Sequence, residues 1–155
     1  MNRIALFFAS WGYTGYAPVA SGTVGTLAAI PFFWWFAKIP GITAQIVALA
    51  AAIAVACWLA GVAENTLGEH DSGIIVIDEV VGYLAATLLL EPSWTVTIYA
   101  FFIFRALDIL KPFPASYFDQ QVEGGAGVVL DDVFAGIYAN LATRALLLVT
   151  GSLLG

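Results

Sequence analysis

The chain contains one cysteine, one histidine and one methionine in 155 residues, and only 10% of its residues are charged. Each scarcity removes a class of chemistry. A single thiol, Cys57, rules out a disulfide framework and a cysteine metal cluster. Cys57 also lacks an arginine six residues on, where Ala63 stands, and lies in an apolar run, which excludes a thiolate phosphatase. With His70 as the sole histidine, a phosphohistidine mechanism that needs a second histidine as acid cannot run within one chain. The Gly, Asp and Ser neighbours of His70 mark it as a loop residue. No Asp-x-Asp, P-loop or dinucleotide fingerprint occurs, and no Ser-His-Asp arrangement commends itself. Basic residues are few: five against eleven acids give a net charge of −6, which argues against nucleic acid but not against an anionic lipid approached through a cation.

What the chain has in abundance is apolar surface. It is 61% hydrophobic with mean hydropathy +0.93, far from soluble proteins, in which about a quarter of residues are charged. Its length suits one domain over residues 1–155. The uncharged run Ile42–Ala63 is long enough to cross a hydrocarbon layer, which takes roughly 20 residues. The apolar stretch Ile4–Ala9 is shorter than the ~7–15 residues of a signal peptide and no clear cleavage site follows, so it reads as an interfacial segment of the mature chain.

A bilayer admits only helices and closed barrels, and the ~10-residue alternation of a barrel is absent. The expected fold is therefore all-α, a membrane-associated bundle of about five to six helices. Helices are expected near 24–37, 42–67, 74–90, 94–111 and 128–149, with breaks at Trp11–Gly25, Pro40-Gly41, Gly68–Gly73, Glu91-Pro92-Ser93, Lys111–Pro114 and Glu123–Gly127. Trp11, Trp34, Trp35 and Trp94 fall near the ends of apolar segments, as headgroup-depth anchors or as core aromatics. The basic residues are too dispersed for the positive-inside rule to set an orientation.

Two acid pairs stand inside this apolar sequence: Asp78-Glu79 followed by Gly82, and Asp131-Asp132 followed by Gly136. At ~2.5–3.5 kcal/mol per acid at a helix centre, four unpaired carboxylates would cost on the order of 10–14 kcal/mol, so something must compensate them. Arg105, Asp108 and Lys111 recur every third residue and share one side of their helix. Pro112 biases Lys111 away from helical geometry, so its ammonium should project from the helix end. Arg144 is too far along its helix from Asp132, about 18 Å of rise, to help. The five acids Asp78, Glu79, Asp108, Asp131 and Asp132 outnumber Arg105 and Lys111 by three charges. Carboxylates without a His or Cys cluster suit a hard divalent ion such as Mg²⁺. Adjacent helical residues diverge by about 100°, so one member of each pair would stand behind the other. The two glycines would let the acid-bearing helices approach closely. Structural ion pairs, or acids stabilised at helix N-termini, account for the same pattern. The segments Gly12–Gly25 and Gly124–Gly127 could cradle phosphate on backbone N–H groups, with Ser21, Thr23 or Thr26 donating hydroxyls; ordinary turn chemistry explains them as well.

Four ordered blocks, APVASGTVGTL at 17–27, DSGIIVIDEVVG at 71–82, FRALDILKPFP at 104–114 and GGAGVVLDDVFAG at 124–136, make the chain closely resemble the phosphatidylglycerophosphatase A family. The resemblance implies a helical bundle with a central helix wrapped by the others, a Mg²⁺ requirement, and hydrolysis of the terminal phosphate monoester of phosphatidylglycerophosphate to give phosphatidylglycerol. It implies metal-binding and catalytic roles for Asp78, Glu79, Asp131 and Asp132, with Asp108 close by. Arg105 and Lys111 fall at the family's basic pair, and Thr23 in its first glycine block. Ser21 and Ser72 stand where the family usually has proline, both in loops.

The expected mechanism has Mg²⁺ bridging the two acid-bearing helices and activating a water for in-line attack, Arg105 and Lys111 neutralising phosphate oxygens, and Asp108 or Glu79 taking the water proton. The substrate's acyl chains stay in the leaflet, so the site should open at the membrane interface. The expected location is a bacterial cytoplasmic membrane, multi-pass, with the site at the cytoplasmic face. A small cation or proton transporter is the rival, with its acids at mid-depth. A non-catalytic membrane scaffold is the third reading.

Overall fold

The computed structural model describes residues 2–70 and 72–154; Met1, Asp71, which opens the second family block, and Gly155 lie outside the described residues. Among these residues there are seven α-helices and no strand: α1 (Asn2–Ala9), α2 (Ser21–Phe36), α3 (Ile42–Leu67), α4 (Ile77–Thr87), α5 (Trp94–Leu110), α6 (Ala115–Gln121) and α7 (Gly125–Leu154). A single 3₁₀ turn, Thr14–Tyr16, links α1 to α2.

Two helices go beyond the sequence expectation. The N-terminal segment expected at an interface is helical as α1, and the stretch left unassigned between the breaks at Lys111–Pro114 and Glu123–Gly127 holds α6. Pro114 occupies the N-cap of α6, where its missing N–H costs nothing, so the proline read as a breaker opens a helix. Three helices also change their bounds: α2 begins at Ser21, α4 shrinks to Ile77–Thr87, and α7 runs from Gly125 to Leu154.

The short α4 is the axis of the bundle. Ten of its eleven residues are buried, and it packs against α2, α3, α5 and α7. A helix end buried this way leaves carbonyls that water cannot reach. Side chains of α7 supply the donors: Asn140 Nδ2 donates to the carbonyls of Ala86 and Leu88 at 3.0 Å each, and Arg144 Nη2 to those of Leu88 and Leu89 at 3.0 Å each. Asn140 Oδ1 accepts from Arg144 Nε at 2.8 Å, which locks the two caps together. Arg144, remote from the acids along its own helix, thus serves the far end of α4.

Two segments, Ile42–Leu67 and Gly125–Gly151, are long and apolar enough to cross a bilayer. Only 28% of the residues in each apolar window are buried, so most of that surface faces outward, unlike a soluble protein's core helix. Trp35 and Trp94 are exposed, whereas Trp11 and Trp34 are half-buried and donate to Ala28 O and Thr97 Oγ1. The core reading thus holds for Trp11 and Trp34, while Trp35 and Trp94 present their rings outward.

The α4–α7 crossing fixes the site. A Cβ on Gly136 would collide with the Gly82 carbonyl, and one on Gly82 would lie 2.7 Å from the Phe104 ring and 2.9 Å from the Asp132 carbonyl. Backbone meets backbone there only because both residues lack side chains.

Candidate active site

Four elements deliver charge to one end of the bundle. Asp78 and Glu79 stand in the first turn of α4; Asp131 and Asp132 lie in the second turn of α7, one turn deeper than the sequence expectation; Arg105 and Asp108 come from the last turns of α5, Lys111 from its C-cap and Asp119 from α6. The first turn of α2 closes the side. A Cβ on Gly22 would collide with Glu79 Oε1 and lie 3.0 Å from Arg105 Nη2, so the glycine leaves room for that ion pair. Thr23 follows in the same turn, half-buried.

The acids divide into two groups. Asp78, Glu79 and Asp132 each offer a carboxylate oxygen within 4.8 Å of the others, close enough for one ion. Asp78 and Asp132 are buried and Glu79 nearly so. Glu79 Oε2 and Asp132 Oδ2 have no hydrogen-bond partner among the described residues. Buried carboxylate oxygens without partners are costly, and a hard cation is the chemistry that would satisfy them. Burial pushes the Glu79 acid above its ordinary value; a hydrogen bond with Asp78 opposes this, the Asp108 charge adds to it, and Arg105 opposes it.

Asp131 belongs to the second group. Its Oδ2 accepts from Lys111 Nζ at 2.7 Å and its Oδ1 from the Asp132 backbone N–H at 2.8 Å. Lys111 also pairs closely with Asp119, a residue the sequence reading did not single out. Burial by itself would lower the Lys111 ammonium, but the hydrogen bonds from Asp119 and Asp131 outweigh it and hold the group above the usual lysine range. The structure therefore does not bring Asp131 into the group of three, although the sequence reading placed it with the metal ligands. Neighbours on a helix point about 100° apart, and only tertiary contacts decide which one faces α4.

Arg105 pairs closely with Asp108 and lies 3.8 Å from Glu79 Oε1. Its Nε is buried with no hydrogen-bond partner among the described residues, a donor suited to an anion. Asp108 also stands within hydrogen-bond reach of Asp132. The glycine-rich segments behave differently from the phosphate cradle considered above. A Cβ on Gly125 would collide with the Cys57 carbonyl and one on Gly15 with that of Ile74, so both glycines serve close packing. Thr26 is buried and donates to Gly22 O at 2.8 Å, which turns its hydroxyl inward. His70 is at the surface, paired closely with Glu64.

A family model described as phosphatidylglycerophosphatase A matches residues 7–147. The chain is similar to the phosphatidylglycerophosphatase A of Escherichia coli (strain K12), with 37% identity over 126 residues, which covers 80% of this chain and 72% of that protein. It is 35% identical over 147 residues to the phosphatidylglycerophosphatase A of Haemophilus influenzae, covering 94% of this chain and 90% of the relative. A Bacteroides thetaiotaomicron protein whose name proposes a phosphatidylinositol-3-phosphatase is 35% identical over 136 residues, 81% of this chain and 82% of its own. No solved structure matches the chain.

Proposed function

The chain belongs to the phosphatidylglycerophosphatase A family, and on that premise we propose that it hydrolyses the terminal phosphate monoester of phosphatidylglycerophosphate, in phospholipid biosynthesis. The observation that carries this reading is the group of buried carboxylate oxygens from Asp78, Glu79 and Asp132, three potential ligands for one ion at the end of the bundle. Such a ligand set suits Mg²⁺, which when bound supplies positive charge against the phosphate oxygens and acidifies water. The other side chains perform the remaining work. Arg105, steadied by Asp108 and Glu79, offers its free Nε–H to a phosphate oxygen and offsets the charge that develops during transfer. Lys111 adds a second cation at the same end of α5. Asp108, beside both Arg105 and Asp132, is placed to accept the proton as the water oxygen bonds to phosphorus and the phosphorus–glycerol oxygen bond breaks. The leaving glycerol oxygen takes a proton, which gives phosphatidylglycerol and inorganic phosphate.

The acids gather toward one end of the bundle, in the first turn of α4 and the second of α7, which disfavours the transporter reading. A site at one end of the bundle suits a lipid whose acyl chains remain in the leaflet. We place α3 and α7 across a bacterial cytoplasmic membrane with this end at the cytoplasmic face.

Phosphate release from phosphatidylglycerophosphate in mixed micelles tests the reading. Purified protein should release phosphate with Mg²⁺, stop with chelator, and fail as Asp78→Asn. Folded wild-type protein that releases none in Mg²⁺ would defeat it, and release unaffected by chelator would defeat the metal assignment.

A further inference from the structure

The position of Lys111 carries a consequence for Asp131 and Asp119. Lys111 ends α5 in a left-handed backbone conformation, φ 44° and ψ 59°, with its N–H on the Leu107 carbonyl at 2.8 Å. Non-glycine residues adopt that conformation rarely, and local contacts must hold it. The chain then turns through Pro112–Pro114 into α6, and turn and helix are each fastened to α7: Tyr138 Oη donates to the Phe113 carbonyl at 2.9 Å, and the Phe118 and Phe134 rings stack at 4.9 Å. This docking brings Asp119 to the Lys111 ammonium, which Asp131 of α7 meets as well.

We propose that Asp119 and Asp131 form a clamp that fixes the Lys111 ammonium for the substrate phosphate, so that Asp131 is a positioning residue and not a metal ligand. The proposal rests on the phosphatase reading for the identity of the anion and on the geometry for the rest. Both oxygens of Asp131 are engaged, one by Lys111 and one by the Asp132 N–H, and neither joins the oxygens of Asp78, Glu79 and Asp132. An ammonium has three N–H donors; two go to the carboxylates, and the third is left for a phosphate oxygen. A free lysine side chain would lose rotamer freedom on meeting that anion, whereas a clamped one has already lost it. The small helix α6 thereby acquires a purpose, to carry Asp119.

The test uses the full chain in detergent micelles with Asp119→Asn, Asp119→Glu, Asp131→Asn and Asp132→Asn. Three quantities are measured: Mn²⁺ affinity by calorimetry, the acetylation rate of Lys111 relative to Lys38 by mass spectrometry, and kcat and KM for lipid phosphate release. Asp131→Asn and Asp119→Asn should keep the Mn²⁺ Kd within about threefold, acetylate faster at Lys111, and raise KM about tenfold with kcat little changed, because a donor to bound substrate is loosened while the metal ligands stay. Asp119→Glu should restore slow acetylation. Asp132→Asn should lose Mn²⁺ binding and leave Lys111 slow. The clamp is overturned if Asp131→Asn loses Mn²⁺ as fully as Asp132→Asn does, or if neither clamp variant speeds acetylation. Should Asp131→Asn fail to fold, the two Asp119 variants decide through acetylation and KM. A wild type that releases no phosphate would sink the phosphatase reading alone, since the Mn²⁺ and acetylation arms still decide the clamp.

Discussion

Asp78, Glu79 and Asp132 sit where an uncompensated carboxylate is expensive, and their convergence on one another makes each of them indispensable to any ion held between them. Asp78→Asn or Asp132→Asn is expected to lower phosphate release by about a hundredfold or more, with Mn²⁺ affinity falling in parallel. Glu79 makes a prediction about pH. Burial raises its acid, so in metal-free protein its contribution to stability is fully present below the ordinary glutamate value and is lost as pH rises through the raised one. Chelator-treated protein should therefore melt at a lower temperature near about pH 8 than near about pH 5, and Glu79→Gln should flatten that slope. An unchanged slope in the variant would assign the dependence to other groups. That these acids need compensation was legible from the sequence, since isolated charges in apolar runs demand it. The separate placements of Asp131 and Asp132 were not legible, because periodicity places neighbours on diverging directions without saying which direction has a partner.

The α4–α7 pair is the element that holds the Asp78 and Asp132 carboxylates in register. Gly136→Ala would drive its new methyl into the Gly82 carbonyl and push the helices apart. A displacement of about 1 Å between Asp78 and Asp132 is expected to reduce activity by about a hundredfold, read beside Mn²⁺ affinity in the same variant. At the other end of α4, Asn140→Ala removes the donor that serves the Ala86 and Leu88 carbonyls. The expected cost is about 1–3 kcal/mol of stability, measured by thermal or denaturant unfolding, with Mn²⁺ binding retained by the folded fraction. The glycine spacing pointed to the close crossing from the sequence alone. Helix α6 stayed hidden because Pro112, Pro114 and Gly124-Gly125 punctuate a segment of only seven helical residues, whose stability comes from its seat on α7.

At the scale of the whole molecule, the charged groups gather at one end of a bundle whose long helices turn apolar surface outward. With this end at the cytoplasmic face, a cysteine placed at Glu69 or Glu123 in a Cys57→Ser background should react with an impermeant maleimide in inside-out vesicles and not in right-side-out ones. The opposite pattern would invert the orientation. The sequence by itself determined the helical class, the apolar character of the long segments and the presence of acids that need compensation, because composition and periodicity are local properties that the peptide bond constrains directly. Tertiary structure decided which carboxylates share an oxygen cluster, that Asp131 turns to Lys111, and that Asp119 joins it from α6. Those outcomes depend on distances between residues remote along the chain, set by glycine contacts and stacked rings across helix crossings.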